Sequence, residues 1–213
     1  MWYDTLLNIP DVSIEFTTDG IKVCMINKER SFVINSLLKT KVENTCSIAI
    51  NMDKIKTVKG KVELYWDNNQ LIIKSGIVKY KCYNIVDPTV KTLSPMPGIK
   101  FENSVISLPK DQINEMLKVS EKEENLRFKS NGKNLVISND EGDVEAEYVD
   151  VITDDIDIDS LFNYGYMKNV LGTIKYFDDF KIRLGYESPV VFNMSNELFE
   201  VEYQIAPRIE NDD

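Results

Sequence analysis

The sequence predicts an α+β chain in which one structural unit occurs twice, and three observations carry that prediction. First, "EFTTDGIKVCMIN" (residues 15–27) and "RFKSNGKNLVISN" (residues 127–139) align at a constant offset. The alignment matches Phe16 with Phe128, Thr18 with Ser130, Gly20 with Gly132, Val23 with Leu135 and Asn27 with Asn139. Second, the same kinds of element follow each of these strand-turn-strand segments in the same order. Third, "NIVDPTVKTLSPMPGIKFE" (residues 84–102) holds three prolines and reads as an extended connector between the halves.

Each half is built up piece by piece. Residues 32–38 and 144–152 alternate apolar with polar side chains, the period of a strand with one buried face. Short helical stretches follow at "NMDKIKTVKG" and "FNYGYMKNVLGTIK", then hairpin-like pairs at "KVELYWDNNQLIIKS" and "DFKIRLGYESPVVFNM". Pro109 stands in the first turn of a helix that buries Ile113, Met116 and Leu117 and shows Lys110, Asn114 and Lys118 on another side. Near the end, Glu200, Glu202 and Gln204 alternate with Val201, Tyr203 and Ile205. Pro207 brings no N–H to a ladder, so pairing is expected to stop at Ala206, with a polar tail after it.

With 213 residues, 43% of them hydrophobic and 28% charged, the chain has room for one large core or two of ordinary size. It has no run of about 18 apolar residues and no basic-then-apolar start, so a soluble intracellular protein without a membrane partner is expected. Cys24, Cys46 and Cys82 are odd in number and widely spaced, which suits reduced thiols rather than a disulfide frame. The chain has no histidine, and this removes Ser-His-Asp and Cys-His nucleophiles and most zinc or iron ligand sets. It also has no phosphate loop, dinucleotide glycine fingerprint or paired-cysteine knuckle. Neither an enzyme nor a cofactor is expected. The net charge of −10 and pI near 4.7 oppose a uniformly basic DNA-binding surface, so the distribution of the lysines becomes the question.

A helix within residues 159–175 would bury Tyr166, Met167, Val170, Leu171 and Ile174. Gly165, Lys168, Gly172 and Lys175 would then follow one another along a second face. A glycine inside a helix costs about 1 kcal/mol relative to alanine, so close approach by something large is one reason to keep two. Lys54, Lys56, Lys59 and Lys61 crowd around Met52, Ile55 and Val58. For any one helix, lysines on an ordinary solvated face are the alternative. "TDDIDIDS" sets Asp155, Asp157 and Asp159 at alternate positions. As a calcium loop it fails, because Ser160 replaces the turn glycine and Tyr166 the bidentate glutamate; a solvated acidic face is the alternative. Trp66, Tyr80 and Tyr83 sit in strand patterns and read as core or edge residues rather than base-stacking platforms.

With these pieces assembled, the sequence resembles the archaeal and eukaryotic sliding clamps of the proliferating cell nuclear antigen family. The resemblance rests on Ala206, Pro207, Arg208, Ile209 and Glu210 after the last strand, on "DGIKVCMIN" (residues 19–27) and on "SLFNYGYMKNVL" (residues 160–171), which is similar to that family's last inner helix. Pro189 in "ESPVVFNM" falls where the family places a groove proline, and the likeness covers about residues 12–211.

The resemblance implies the DNA-clamp fold: two similar domains, residues 1–85 and 102–213 about a connector at 86–101, with outer antiparallel sheets and inner helices. Such chains close as a ring, here a homotrimer, around double-stranded DNA and hold a polymerase on it during replication and repair. Lys54, Lys56, Lys59, Lys110, Lys118, Lys168 and Lys175 would face the phosphates without reading sequence. A polymerase, clamp loader, ligase or nuclease would dock through a short peptide, Q-x-x-[aliphatic]-x-x-[aromatic]-[aromatic]. Its groove would have Val90, Leu93 and Met96 as wall and Met25, Pro189, Ile205, Ala206 and Pro207 as floor. Ring closure would pair the edges at residues 77–83 and 145–151, bringing Ile77, Val78, Tyr80, Tyr148 and Val149 to the contact. The protein would be cytoplasmic in an archaeal-type host and nuclear in a eukaryote.

Three departures stand out. Only residues 4–9 precede Pro10 where the family has a strand and an inner helix, Ile26 replaces an acidic residue after Met25, and Gln204 replaces an aromatic. The short start sustains an alternative, a clamp-fold adaptor that binds partner peptides without encircling DNA.

Overall fold

Period-2 alternation along most of the chain produces strands whose buried faces close over a common core. The computed structural model describes residues 2–6, 11–27, 29–51, 58, 62–67, 70–83, 104–106, 108, 112, 124–131, 133–139, 141–152, 157–186 and 188–208. In the first half, β1 (Asp11–Thr17), β2 (Gly20–Ile26) and β3 (Phe32–Leu38) form a meander, and β4 (Cys46–Asn51) returns to pair with β1. A second meander, β5 (Glu63–Asp67), β6 (Gln70–Ser75) and β7 (Val78–Tyr83), makes a separate three-stranded sheet.

After β8 (Ser104–Ile106) the plan recurs. Strands β9 (Asn125–Asn131), β10 (Asn134–Asn139) and β11 (Glu145–Tyr148) form the meander, and β12 (Asp159–Asn163) pairs back onto β9. Helix α1 (Tyr164–Leu171) leads to β13 (Asp179–Leu184), β14 (Val190–Ser195) and β15 (Phe199–Ile205). The strand orders β4-β1-β2-β3 and β12-β9-β10-β11 are the same arrangement twice.

The halves differ in what their edges meet. Strand β3 pairs antiparallel with β15 from Leu38 opposite Phe199 to Phe32 opposite Ile205, so one eight-stranded sheet, β4-β1-β2-β3-β15-β14-β13-β8, runs through both halves. The equivalent strands, β11 and β7, are edges among the described residues. The connector at 86–101, and with it the domain boundary, lies outside the described residues.

The repeat extends to hydrogen bonds. Asn27 closes the β2–β3 loop, its N–H donating to Phe32 O at 2.9 Å, and Asn139 closes the β10–β11 loop, donating to Val144 O at 3.1 Å. Three residues on, Arg30 (φ 57°) and Gly142 (φ 73°) each take a left-handed conformation and donate back to the asparagine carbonyl. Each asparagine side chain also caps its own loop. Asn27 Oδ1 accepts from Ser31 N at 2.9 Å and Phe32 N at 3.0 Å, and Asn139 Oδ1 accepts from Val144 N at 3.2 Å.

The hairpins themselves match less closely. Thr17 faces Gly20 in one and Asn131 faces Asn134 in the other, so the constant-offset match slips by two residues at the turn. Gly132 lies outside the described residues. Gly20 opens β2 at φ 142°, and a Cβ there would sit 2.1 Å from the Leu38 carbonyl oxygen, so glycine is what lets β3 lie against β2.

Two expectations need correction. The helix expected within 159–175 begins at Tyr164, because Asp159 to Asn163 are held as a strand by pairing with β9; Asn163 then caps the helix, its Oδ1 accepting from Tyr166 N at 3.1 Å. Strand β11 ends at Tyr148, where the left-handed Asp150 (φ 54°) and the Val149–Asp150 turn break the pattern expected to reach Ile152. At the start of the chain, Trp2–Leu6 form a short 3₁₀ helix, tied down by Trp2 Nε1–H donating to Ser36 Oγ at 2.8 Å and by Thr5 O accepting from the buried Tyr203 hydroxyl at 2.6 Å.

Asn27 also donates to the Tyr166 hydroxyl at 2.8 Å, a contact Asn139 has no counterpart for among the described residues. Asn27→Ala is therefore expected to lower the unfolding free energy by about 2 kcal/mol and Asn139→Ala by about 1 kcal/mol. Urea unfolding of both variants measures this; equal losses would contradict it.

Candidate functional site

Helix α1 buries Tyr164, Met167, Val170 and Leu171, and the following 3₁₀ turn Ile174–Tyr176 buries Ile174. Gly165, Lys168, Asn169, Gly172 and Lys175 are all exposed, so the stripe read from sequence is one solvent face. Lys168 Nζ lies 5.7 Å from the Tyr164 ring centroid and Lys175 Nζ 5.1 Å from that of Tyr176. Among the described residues neither lysine is paired with a carboxylate, so both charges are available to an anion. The glycines have local causes. A Cβ on Gly165 would come 3.1 Å from the capping Asn163 Oδ1, and Gly172 is the C-cap residue, its N–H donating to Lys168 O at 2.9 Å. Lys54, Lys56, Lys59, Lys110 and Lys118 lie outside the described residues.

Tyr166 is half-buried because it docks on the first half. Its ring stacks on Phe32 at 5.2 Å, Phe32 in turn lies 6.2 Å from Tyr203, and its hydroxyl donates to Glu29 at 3.2 Å. The same loop holds the chain's last described residues. The Ala206 N–H donates to Ser31 O at 2.8 Å, so pairing runs one residue beyond β15; Pro207 skips a bond, and Arg208 N–H donates to Leu161 O on β12 at 2.7 Å. Val190 faces Ile205, which sets Pro189 beside Ala206 at one end of the β14–β15 pair, and Pro189, Ala206 and Pro207 are all partly exposed. Met25 and Ile205 belong to the core, 6% and 0% exposed, because alternation turns both inward. Val90, Leu93 and Met96 lie outside the described residues.

At the free edges, Val78 is half-exposed and Tyr80 partly buried on β7, with Ile77 fully exposed in the preceding turn and Val149 exposed just after β11. Tyr148 is different. Pairing opposite Leu135 turns its ring into the core at 7% exposure, with its hydroxyl donating to Gln112 O at 3.2 Å, so it offers an edge only its backbone.

On the solvent face of the eight-stranded sheet, a depression of about 840 Å³ lies over the joint between the halves. None of the described groove residues, Met25, Pro189, Ile205, Ala206 and Pro207, lines it. Its floor is Glu202, whose carboxylate accepts from Asn35 at 3.3 Å, Gln204 at 2.8 Å, Asn193 at 2.9 Å and Arg183 at 3.0 Å. Burial alone would raise the Glu202 pKa. Hydrogen bonds from Gln204, Asn193 and Asn35 and the charge of Arg183 outweigh it and hold the carboxyl below the usual range. With four donors already on it, Glu202 fastens β3 to the second half and leaves little for a ligand. Sequence reading missed this knot, whose one signal is a glutamate in a strand flanked by polar residues.

Within the acidic cluster, Asp159 is charge-paired and Asp157 is hydrogen-bonded to a serine. Asp159 pairs with Arg127 at 2.6 Å and Lys129 at 3.7 Å across the β12–β9 ladder, and the Arg127 hydrogen bond is the main reason its carboxyl is held below the usual range. Asp157 accepts from Ser130 Oγ at 3.4 Å, and Asp155 lies outside the described residues. None of the three cysteines is in a disulfide, and Cys82 is buried. Among the described residues, no helix is long and apolar enough to cross a membrane.

No family model matches the sequence, and no curated protein matches it. Solved structures do. The chain is similar to the PCNA2–PCNA3 complex of Sulfolobus tokodaii with a TM-score of 0.77 at 20% identity, and to A. fulgidus PCNA bound by the C-terminal region of FEN-1 with a TM-score of 0.80 at 19% identity. Both matches cover 98% of this chain and 94% of the other. The molecule is a clamp-fold protein: mostly antiparallel sheets, a short helix and the doubled unit of the PCNA-type clamps.

The Glu202 knot predicts a pH dependence. A depressed carboxyl stabilises fully above its unfolded pKa, about 4.3, and loses that contribution as pH falls through the lower folded value. Glu202→Gln is expected to cost about 1–2 kcal/mol at pH 7 and almost nothing near pH 3. Denaturant unfolding at both pH values measures the difference; a loss independent of pH would contradict it.

Proposed function

We propose that this protein is a sliding clamp: copies of the chain close head to tail around double-stranded DNA and tether replication and repair enzymes to it. The observation that carries the reading is the pair of leftover edges. Within the chain, the third strand of the first unit pairs with the last strand of the second, β3 with β15. The same joint made by the remaining equivalents, β11 and β7, requires another copy. Repeating a head-to-tail joint gives a ring when the rotation closes, and two units per chain in a homotrimer make six.

In that ring the lysine face of α1 lines the hole. Lys168 and Lys175, with Lys54, Lys56, Lys59, Lys110 and Lys118, meet phosphates without reading bases, while the remaining acidic surface keeps the net charge at −10. Topology holds the ring on DNA, so the contact stays weak enough to slide. Partner peptides from a polymerase, clamp loader, ligase or nuclease dock where Pro189, Ala206 and Pro207 lie together, supported by Met25 and Ile205 and walled by Val90, Leu93 and Met96. A clamp seen with the C-terminal region of FEN-1 bound supports this partner class.

The short 3₁₀ helix Trp2–Leu6 favours a second reading, an adaptor that binds peptides without surrounding DNA. Stimulation of a cognate polymerase on primed circular DNA separates the two. The clamp reading expects stimulation, and Lys168→Glu with Lys175→Glu is expected to reduce it at least tenfold with the fold intact. Unchanged stimulation would remove the lysines from the DNA contact, and absent stimulation with peptide binding retained would favour the adaptor. Ala206→Arg is expected to abolish binding of the Q-x-x-[aliphatic]-x-x-[aromatic]-[aromatic] peptide in a calorimetric titration while leaving the fold intact. Undiminished binding would place the groove elsewhere.

A further inference from the structure

The two halves are unequally sealed. In the second, β8 lies antiparallel on β13, with Ile106 opposite Ile182 and Val105 opposite Arg183. Under that cover the core-facing side chains of β13, Phe180, Ile182 and Leu184, are at most 7% exposed. Strand β5 is the counterpart of β13, since each leads the three-stranded meander that ends its half, β5-β6-β7 and β13-β14-β15. No strand lies on the outer side of β5 among the described residues. Residues 2–6, which precede β1, are docked elsewhere, Trp2 on Ser36 of β3 and Thr5 on Tyr203 of β15.

The uncovered edge is apolar on one face and acidic on the other. Leu64 and Trp66 lie on the core side, opposite the buried Ile73 and Leu71. Leu64 is only partly buried and Trp66 is 39% exposed. On the other face Glu63, Tyr65 and Asp67 are all exposed. Glu63 accepts from the Tyr65 hydroxyl at 2.5 Å and pairs with Lys74 at 3.4 Å, whereas Asp67 has no ion pair with a described residue.

We propose that β5 is a docking edge, separate from the surface at Pro189, Ala206 and Pro207, which takes an extended segment of another protein as an added antiparallel strand. β8 on β13 is the internal precedent for the geometry. The side chains of β5 specify the segment. Read antiparallel against Asp67, Trp66, Tyr65, Leu64 and Glu63, its order is basic, apolar, any, apolar, basic. Main-chain hydrogen bonds hold the strand, the two apolar residues close over Trp66 and Leu64, and the flanking cations meet Asp67 and Glu63. The two carboxylates set this edge against nucleic acid. No run in the 213-residue sequence has that order, so the strand comes from a different protein rather than from a second copy. The site does not depend on whether the chain encircles DNA.

Calorimetric titration of the full-length protein with the blocked peptide Gly-Ser-Lys-Val-Thr-Ile-Lys-Ser-Gly tests this. Saturable binding is expected, and it is expected to be lost when the five central amides of the peptide are N-methylated. Asp67 is exposed and unpaired with any described residue, so Asp67→Lys leaves the fold intact, and it is expected to raise the Kd about fivefold or more. On that variant the peptide with Glu-Val-Thr-Ile-Lys at its centre is expected to restore binding, and the one with Lys-Val-Thr-Ile-Glu is not, because only the antiparallel strand puts its first residue opposite position 67. Trp66 is one of two tryptophans, so in Trp2→Phe protein the emission is expected to shift to the blue as the peptide binds. No saturable binding at millimolar peptide, binding unaffected by N-methylation or by Asp67→Lys, or an unchanged Trp66 emission would each overturn the proposal. So would binding that Ala206→Arg abolishes, which would place this peptide at the tail surface instead.

Discussion

The antiparallel joint between β3 and β15 is the interaction on which the rest of the structure depends. It is made of backbone hydrogen bonds from Phe32 to Leu38 against Phe199 to Ile205, and it turns two three-dimensional copies of one unit into a single continuous sheet. Its solvent side is fastened by Glu202, which gathers donors from β3, β13, β14 and β15. Its core side is fastened by the Tyr166–Phe32–Tyr203 stack, which ties α1 to the loop after β2. The helix that presents Lys168 and Lys175 and the tail that presents Ala206 and Pro207 are thus both anchored to residues 27–32 of the other half. A unit repeated twice with one internal joint leaves the counterparts of that joint, β11 and β7, as edges among the described residues.

Much of the fold was legible because period-2 alternation is a strong local signal. The paired hairpins, the Asn27/Asn139 match and the end of ladder pairing at Ala206 before Pro207 all correspond to observed elements. Asn27 and Asn139 turned out to be a match of mechanism as well as of letter, each closing a loop with a left-handed residue three places on. The start of α1 was misplaced because periodicity cannot see pairing. Residues 159–163 are compatible with a helical stripe, and only the β9 ladder decides that they are a strand. The hairpin offset slipped for the same reason, since turn register depends on the strand opposite.

The candidate surfaces were legible in part. Lysines at helical spacing put Lys168 and Lys175 on one exposed face. Tyr148 read as an edge residue by its position in the chain, yet its partner Leu135 turns it inward, and that partner is invisible without the sheet. The Glu202 knot draws on four strands and has almost no local signature. An overall charge of −10 is compatible with a DNA ring because charges more than about 10 Å from the phosphates are largely screened at ordinary salt.

If topology rather than affinity holds this protein on DNA, its release must depend on DNA ends. The most direct measurement is retention on a nicked circular duplex, loaded with the cognate loader and followed by gel filtration before and after a single restriction cut. The clamp account predicts protein co-eluting with the circle at a salt concentration that abolishes simple phosphate contacts, and rapid loss once the circle is linearised. Equal retention on circular and linear DNA, or none on either, would contradict it.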